Sequence, residues 1–197
     1  MLGAEVHTEC GGAGMTPIKT HDGKLVVRTN CDEATPFLRS LNGHVSAIAQ
    51  ECRRRGNVPK AVDIGCGNGR NSKYLEGIDF SVKSFDQHPD YSGATPLDFS
   101  RYPIPLFKRS ANVVLLQYVL MFFPTCKRQE LITESFDLCG YPGLVVIEMQ
   151  DVKSGVMRKK DIDDLIQWTR LEAADKGLSV LKQSAGKIAV TNWRHTS

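Results

Sequence analysis

The sequence predicts an α/β protein: a Rossmann-like, doubly wound sheet of about seven strands, mostly parallel, with a C-terminal antiparallel hairpin. Three observations lead there. Runs such as "KAVDI" (60–64), "ANVVLLQYV" (111–119) and "GLVVIEMQ" (143–150) are apolar almost throughout, as strands buried on both faces must be. Segments with apolar residues at helical spacing stand between them, and strand–helix alternation requires a parallel sheet covered on both sides. Three glycines fall within residues 65–69, directly after the first of these strands, where such sheets bind their ligands.

Residues 1–34 read as an N-terminal extension, a lid or short hairpin, in which "KLVV" (24–27) is a short strand. The main domain spans 35–197. In "TPFLRSLNGHVSAIAQECRRRG" (35–56), Phe37, Leu38, Leu41, Val45, Ile48, Ala49 and Cys52 share one helical face. Thr35 is placed to cap that helix, Pro36 to open it and Gly56 to end it, with Gly43 as the point where it divides. After "KAVDI" comes a short helix ended by Gly77, then the strand "SVKSFD" (81–86). "LDFS" (97–100) lies where a third strand ends. "TCKRQELITESFDLC" (125–139) is an amphipathic helix with Leu131, Ile132, Phe136 and Leu138 inward. "KKDIDDLIQWTRLEAADKG" (159–177) is another, with Ile162, Leu165, Ile166, Trp168 and Leu171 as its apolar positions. "LSVLKQ" and "KIAVTNW" form the closing hairpin around Ser184–Gly186.

Composition excludes several classes. With 25 basic and 22 acidic residues the net charge is +3, too mild to argue for a nucleic-acid or membrane surface. The six cysteines form no Cys-x-x-Cys and no zinc-finger spacing, so no metal is expected and reduced thiols in the cytoplasm are. "VVLLQYVLMFFP" is too short to cross a bilayer, which needs roughly 20 apolar residues. The N-terminus has neither the basic start nor the apolar stretch of a signal peptide.

The spacing at 65–69 is G-x-G-x-G followed by Arg70, neither the G-x-G-x-x-G of dinucleotide sites nor a P-loop. Asp63 precedes the loop. A carboxylate there repels a pyrophosphate and suits an ammonium or sulfonium, which favours S-adenosylmethionine. Nucleotide sites on this fold place a carboxylate for the ribose about 20 residues on; Asp86 follows Gly65 by 21 positions. Asp98 is placed to accept from the adenine amino group, with Phe99 supplying a backbone N–H and an apolar wall. Each of these carboxylates has a plainer reading as a capping or turn residue, and Cys66 reads as a small packing residue of the loop.

"DIGCGNGRNSKYL" (63–75) resembles motif I of class I S-adenosylmethionine-dependent methyltransferases. With "FD" at 85–86, "YVLMFFPTCKRQELI", "YPGLVVIEMQ" and "GKIAVTNW" in matching order, residues 40–195 resemble the small tellurite-resistance-type methyltransferases. The resemblance implies that Asp63, Gly65, Cys66, Gly67 and Asn68 cradle the methionine part and that Arg70 and Asn71 brace the loop. It implies Asp86 and Gln87 at the ribose, Asp98 and Phe99 at adenine, and Gln117, Tyr118 and Val119 facing the transferred methyl group. The family's acceptor end is rich in His and Arg before the last hairpin; "LSVLKQSAGK" is not, which argues against a metalloid oxyanion. Only 11 residues separate Asp86 from Asp98, so the usual helix there is shortened or missing.

On the acceptor side, Tyr118 and His88 are the catalytic candidates, with Tyr91, Arg28 and His44 behind them. Each has a structural alternative: His44 as a core or capping residue, Tyr118 as strand-end packing, His88 as a turn residue. No Asn/Asp-Pro-Pro-Tyr/Phe or Pro-Cys occurs, which disfavours DNA-base methylation. "RRR" (53–55) suits a solvated helix end as well as a phosphate contact. The expectation is methyl transfer to a small-molecule acceptor. An RNA or protein methyltransferase, a transferase of the aminocarboxypropyl group, or a cofactor-binding adaptor are the alternatives.

Overall fold

The computed structural model describes residues 17–19, 25–27, 31–149 and 157–193. Arg28 and most of the 1–34 extension lie outside them. The strand expected at 24–27 is present as β2 (Leu25–Val27), which pairs antiparallel with β1 (Pro17–Lys19) apart from the main sheet.

The main sheet has seven strands: β3 (Lys60–Ile64), β4 (Ser81–Asp86), β5 (Ala94–Pro96), β6 (Ala111–Gln117), β7 (Cys139–Glu148), β8 (Ser179–Ser184) and β9 (Lys187–Thr191). Their order is β5-β4-β3-β6-β7-β9-β8. The first five are mutually parallel, and β9 runs antiparallel to both β7 and β8. Strand alternation divides the core in two. Val113, Leu115, Leu144 and Val146 pack under α2 (Asn42–Arg54) and α3 (Arg70–Glu76). Val114, Leu116, Val145 and Ile147 pack under α4 (Thr125–Leu138) and α5 (Lys159–Asp175). A strand covered on both faces has no polar side to show, which is why these read as unbroken apolar runs.

Three expectations need correction. The first helix divides at Ser40–Leu41, not at Gly43: α1 (Pro36–Arg39) ends where the Ser40 hydroxyl donates to the Phe37 carbonyl at 2.6 Å, and Gly43 lies inside α2. A serine that bonds the preceding turn competes with helix continuation. Leu171 is 73 % exposed. The buried stripe of α5 runs Ile162, Leu165, Ile166, Thr169 and Ala173, and Leu171 falls outside its arc. β7 begins at Cys139, ahead of the expected Gly143, because its first residues pair with β6 across a register shift. Gly and Pro at 140 and 142 hid that start, since both ordinarily interrupt strands. As the short spacing between Asp86 and Asp98 implied, no helix joins β4 to β5; residues 87–93 cross in bends and turns.

Candidate cofactor site

Parallel pairing brings the C-terminal ends of five strands to one edge: Ile64 stands opposite Phe85 and Leu116, Asp86 opposite Pro96, and Gln117 opposite Glu148. The loops leaving those ends carry the residues singled out above.

Gly65, Gly67 and Gly69 have φ of +74°, +56° and +74°, left-handed values that side chains resist. Two of them answer to the chain's own packing. A Cβ on Gly65 would lie 2.6 Å from Val119, and one on Gly69 would lie 2.4 Å from the Tyr91 ring. The loop's N–H groups are largely spent inside the protein: Gly65 and Cys66 donate to the Phe85 carbonyl at 2.8 and 3.1 Å, and Gly67 donates to Asp86 Oδ2 at 2.9 Å.

Asp63 is 1 % exposed. Its Oδ2 accepts the Ser72 hydroxyl at 2.6 Å, in the first turn of α3. Burial pushes this carboxyl up to about 6, against the pull of the Ser72 hydrogen bond and with a push from Asp86. A carboxylate therefore already sits against the helix end where a dinucleotide would need its pyrophosphate.

Asp86 is partly buried. Its two oxygens each accept a backbone N–H, Oδ2 from Gly67 at 2.9 Å and Oδ1 from His88 at 2.8 Å. Asp98 Oδ1 accepts the Ser100 N–H and hydroxyl at 3.0 and 2.6 Å, and that bonding, aided by Arg101, holds its carboxyl below the usual range. Phe99 is buried, edge-on to Phe123 with ring centres 6.5 Å apart. Gln87 and His88 are exposed beside Asp86.

Asn68 and Asn71 tie the loop to the segment preceding α1. Asn68 Nδ2 donates to the Cys31 carbonyl at 3.0 Å, and Asn71 Oδ1 accepts the Thr35 N–H at 3.0 Å. Thr35 caps α1, accepting the Leu38 N–H, as its sequence position suggested. Cys66 is buried within the loop. Arg70 lies over the Tyr118 ring, its guanidinium carbon 5.9 Å from the ring centre.

Beneath the strand ends lies a polar cluster whose centre, Glu148, sequence reasoning missed. Glu148 is 0 % exposed. Thr35 Oγ1 and Gln117 Nε2 both donate to its Oε1; Tyr118 OH donates to Oε2 at 3.1 Å, and Lys187 Nζ lies 3.2 Å from the same oxygen. The available signal was one acidic residue near the end of an otherwise apolar strand. Gln117 is 4 % exposed and also donates to Thr35 Oγ1 at 2.9 Å, while its Oε1 is buried without a partner. Tyr118 has φ +57°, and its N–H donates to the Glu148 carbonyl at 2.8 Å.

Two candidates point elsewhere. His44 Nε2 lies 3.2 Å from Thr191 Oγ1, and Thr191 pairs with Leu144 at the opposite end of the sheet. The Tyr91 ring braces Gly69 and Gly93, and its hydroxyl donates to Glu76 at 2.8 Å.

The donor set fits S-adenosylmethionine. Gln117 Oε1 lacks a donor, two carboxylates stand on successive strand ends, and the pyrophosphate position is closed by Asp63. Residues 46–95, from mid-α2 to β5, match the profile of the tellurite resistance protein TehB family. The TehB-like S-adenosylmethionine-dependent methyltransferase of Corynebacterium glutamicum superposes with a TM-score of 0.50 at 19 % identity, covering 78 % of this chain and 100 % of that one. Magnesium protoporphyrin IX methyltransferase from Synechocystis (0.47, 16 % identity, 83 % and 87 % covered) and a methyltransferase from Archaeoglobus fulgidus (0.48, 14 %, 69 % and 74 %) superpose less well. No curated protein sequence matches significantly. The chain thus shares the fold of the TehB-like methyltransferase, and its residues 46–95, which include the glycine loop, match the tellurite resistance protein TehB family.

Proposed function

We propose that the chain transfers a methyl group to a small-molecule acceptor, with the C-terminal strand ends as its cofactor site. The observation that carries this reading is the gathering of the 65–69 loop, Asp86, Asp98 and Gln117 at one edge of the sheet. When bound, the sulfonium supplies a methyl group already activated by positive charge. The chain's own residues then bind, orient and exclude water, which for well-aligned reactants is worth about 7–11 kcal/mol of barrier.

In this reading the Asp86 carboxylate, at the end of β4, accepts the ribose hydroxyls. Asp98, kept ionised by Ser100, accepts the adenine amino group. Gln117 Oε1 accepts from the ammonium of the methionine part, with Glu148 and Thr35 fixing the amide's orientation. Tyr118, tethered to Glu148 and capped by Arg70, borders the acceptor side.

The bare crossing at 87–93 supports a small acceptor, since it leaves that side of the cleft without a helix. The state of the arginine run supports it too: Arg54 and Arg55 both pair with Glu51, and Arg53 with Asp79, so the run is engaged within the protein. A cytoplasmic setting belongs to the same proposal; among the described residues no helix is long and apolar enough to cross a membrane.

The test is to incubate the protein with S-adenosylmethionine and a panel of small thiols, amines, phenols and carboxylic acids, reading S-adenosylhomocysteine release. Release with one acceptor class is expected. Release only with RNA or protein would overturn the small-molecule reading.

A further inference from the structure

The opposite edge of the sheet, where the parallel strands begin, carries features that methyl transfer does not use. Two grooves of about 440 and 340 Å³ meet there, at Arg109, Gly140 and Tyr141. They lie one strand length from the cofactor edge, about 20 Å along β6.

Three observations bear on what this edge binds. The first is charge. Lys108, Arg109 and Lys176 line one groove, and Arg55, Lys60 and Arg109 the other. Among the lining residues Asp137 is the one carboxylate, and it is shared by Lys108 and Lys176 at 2.9 and 2.7 Å. Arg55 shares Glu51 with Arg54. Among the described residues neither Lys60 nor Arg109 pairs with a carboxylate.

The second is backbone strain. Arg109 is held at φ +57°, with its N–H bonded to the Asp137 carbonyl at 2.8 Å. That conformation suits glycine, and a long cation kept in it is a local cost that marks functional positions. Around it the backbone is closely built: Asn192 donates to the Gly140 carbonyl at 2.7 Å and Asn112 to the Pro142 carbonyl at 2.9 Å.

The third is unsatisfied polarity. Among the described residues, three buried side-chain polar atoms lack a hydrogen-bond partner: Gln117 Oε1, Ser110 Oγ and Asn192 Oδ1. Gln117 belongs to the cofactor edge. Ser110 lines one groove and its hydroxyl can donate to an anion, whereas Asn192 Oδ1, in the wall of the other, is an acceptor and does not meet one.

We infer that this edge is a second ligand site, one for the phosphate group of a small phosphorylated molecule. Lys60 and Arg109 are the free cations that meet the phosphate, with charge-assisted hydrogen bonds from the guanidinium fork. Tyr141, 56 % exposed and held by Arg55 at 4.9 Å from its ring centre, offers a flat surface for a ring carried by the same ligand. The groove volumes are those of small-molecule sites.

The test titrates the full chain with inorganic pyrophosphate and with adenosine monophosphate, by calorimetry and by thermal shift. The comparison is a Lys60→Gln/Arg109→Gly variant, in which glycine keeps the left-handed backbone while both charges go. Wild type should bind at least one of the two probes with one-to-one stoichiometry, and the variant should bind it at least about tenfold more weakly. S-adenosylhomocysteine binding should be equal in both proteins, which shows that the variant is folded and keeps the two sites separate. Binding that survives the double substitution, no binding of either probe by wild type, or binding of a short single-stranded RNA alone would overturn the inference. If wild type binds pyrophosphate but not S-adenosylhomocysteine, the cofactor assignment fails and this one stands.

Discussion

The two ends of the same parallel sheet carry opposite chemistry. Where the strands finish, Asp63, Asp86, Asp98 and Glu148 stand on or near four of the five neighbouring strand ends. Where they start, Lys60, Lys108, Arg109, Arg55 and Lys176 line two adjoining grooves. The carboxylate end suits a ligand with a positive centre and several hydroxyl and amino donors. The cationic end suits an anion. A modest net charge of +3 conceals this separation, because composition averages over both ends.

The two ends also spend their glycines differently. At the finishing end, Gly65 and Gly69 relieve contacts within the protein, against Val119 and Tyr91. At the starting end a left-handed position is occupied by Arg109, where glycine would be easier. The comparison breaks most severely at Gly65. Gly65→Ala forces a Cβ against Val119 in a left-handed conformation and should cost about 2–5 kcal/mol in urea unfolding, the sum of strain and overpacking. Adding Val119→Ala should return part of that loss; no recovery would mean the contact is not what selects glycine.

The next largest effect is electrostatic. Asp63 has a folded-state value of about 6 against an ordinary 3.8, so the folded protein holds this proton more tightly than the unfolded chain. Its stabilising contribution is complete below pH ~4 and is lost as pH rises through about 6. At about 1.4 kcal/mol per pH unit, the gap amounts to roughly 3 kcal/mol. Asp63→Asn should flatten that part of the stability–pH curve. An unchanged curve would show that the carboxyl is not the buried, proton-retaining group described.

Much of the fold was readable beforehand because its cause is local. β3, β6 and most of β7 came from apolar runs, and Thr35, Pro36 and Gly56 from capping rules. Asp86 and Asp98 were readable as candidates because a fixed loop-to-strand distance governs where such carboxylates fall. Glu148 was not, because its environment comes from chain segments far apart: Thr35 lies 113 positions away and Gln117 31. No local pattern distinguishes it from the strand it ends. The same holds for Gly65, whose reason for being glycine is a valine on another loop. The paired arginines at 53–55 are the reverse case. Local reading left two options open, and the structure adds the pairing of the run with Glu51 and Asp79, partners the sequence alone did not point to.

A smaller effect sharpens the role assigned to the orphaned amide. Gln117→Leu should weaken S-adenosylhomocysteine binding about tenfold, the loss of a hydrogen bond to a charged group. It should leave 5′-methylthioadenosine, which lacks the amino-acid tail, almost unaffected. Equal losses for both would place Gln117 against the nucleoside instead. Smallest of all, Arg109→Gly alone should raise stability by about 0.5–1 kcal/mol, since the left-handed strain goes with the side chain. A loss of stability would mean that Arg109 is fixed by packing, and the functional reading of that strain would lose its support.

The central claim is that the carboxylate end grips a sulfonium nucleoside. Calorimetric titration of the wild-type chain and of Asp86→Ala with S-adenosylhomocysteine tests it most directly. One-to-one binding by wild type, weakened by about 1–3 kcal/mol in the variant through loss of charged hydrogen bonds, is the predicted result. No heat at millimolar ligand, or equal affinity in both proteins, would contradict it.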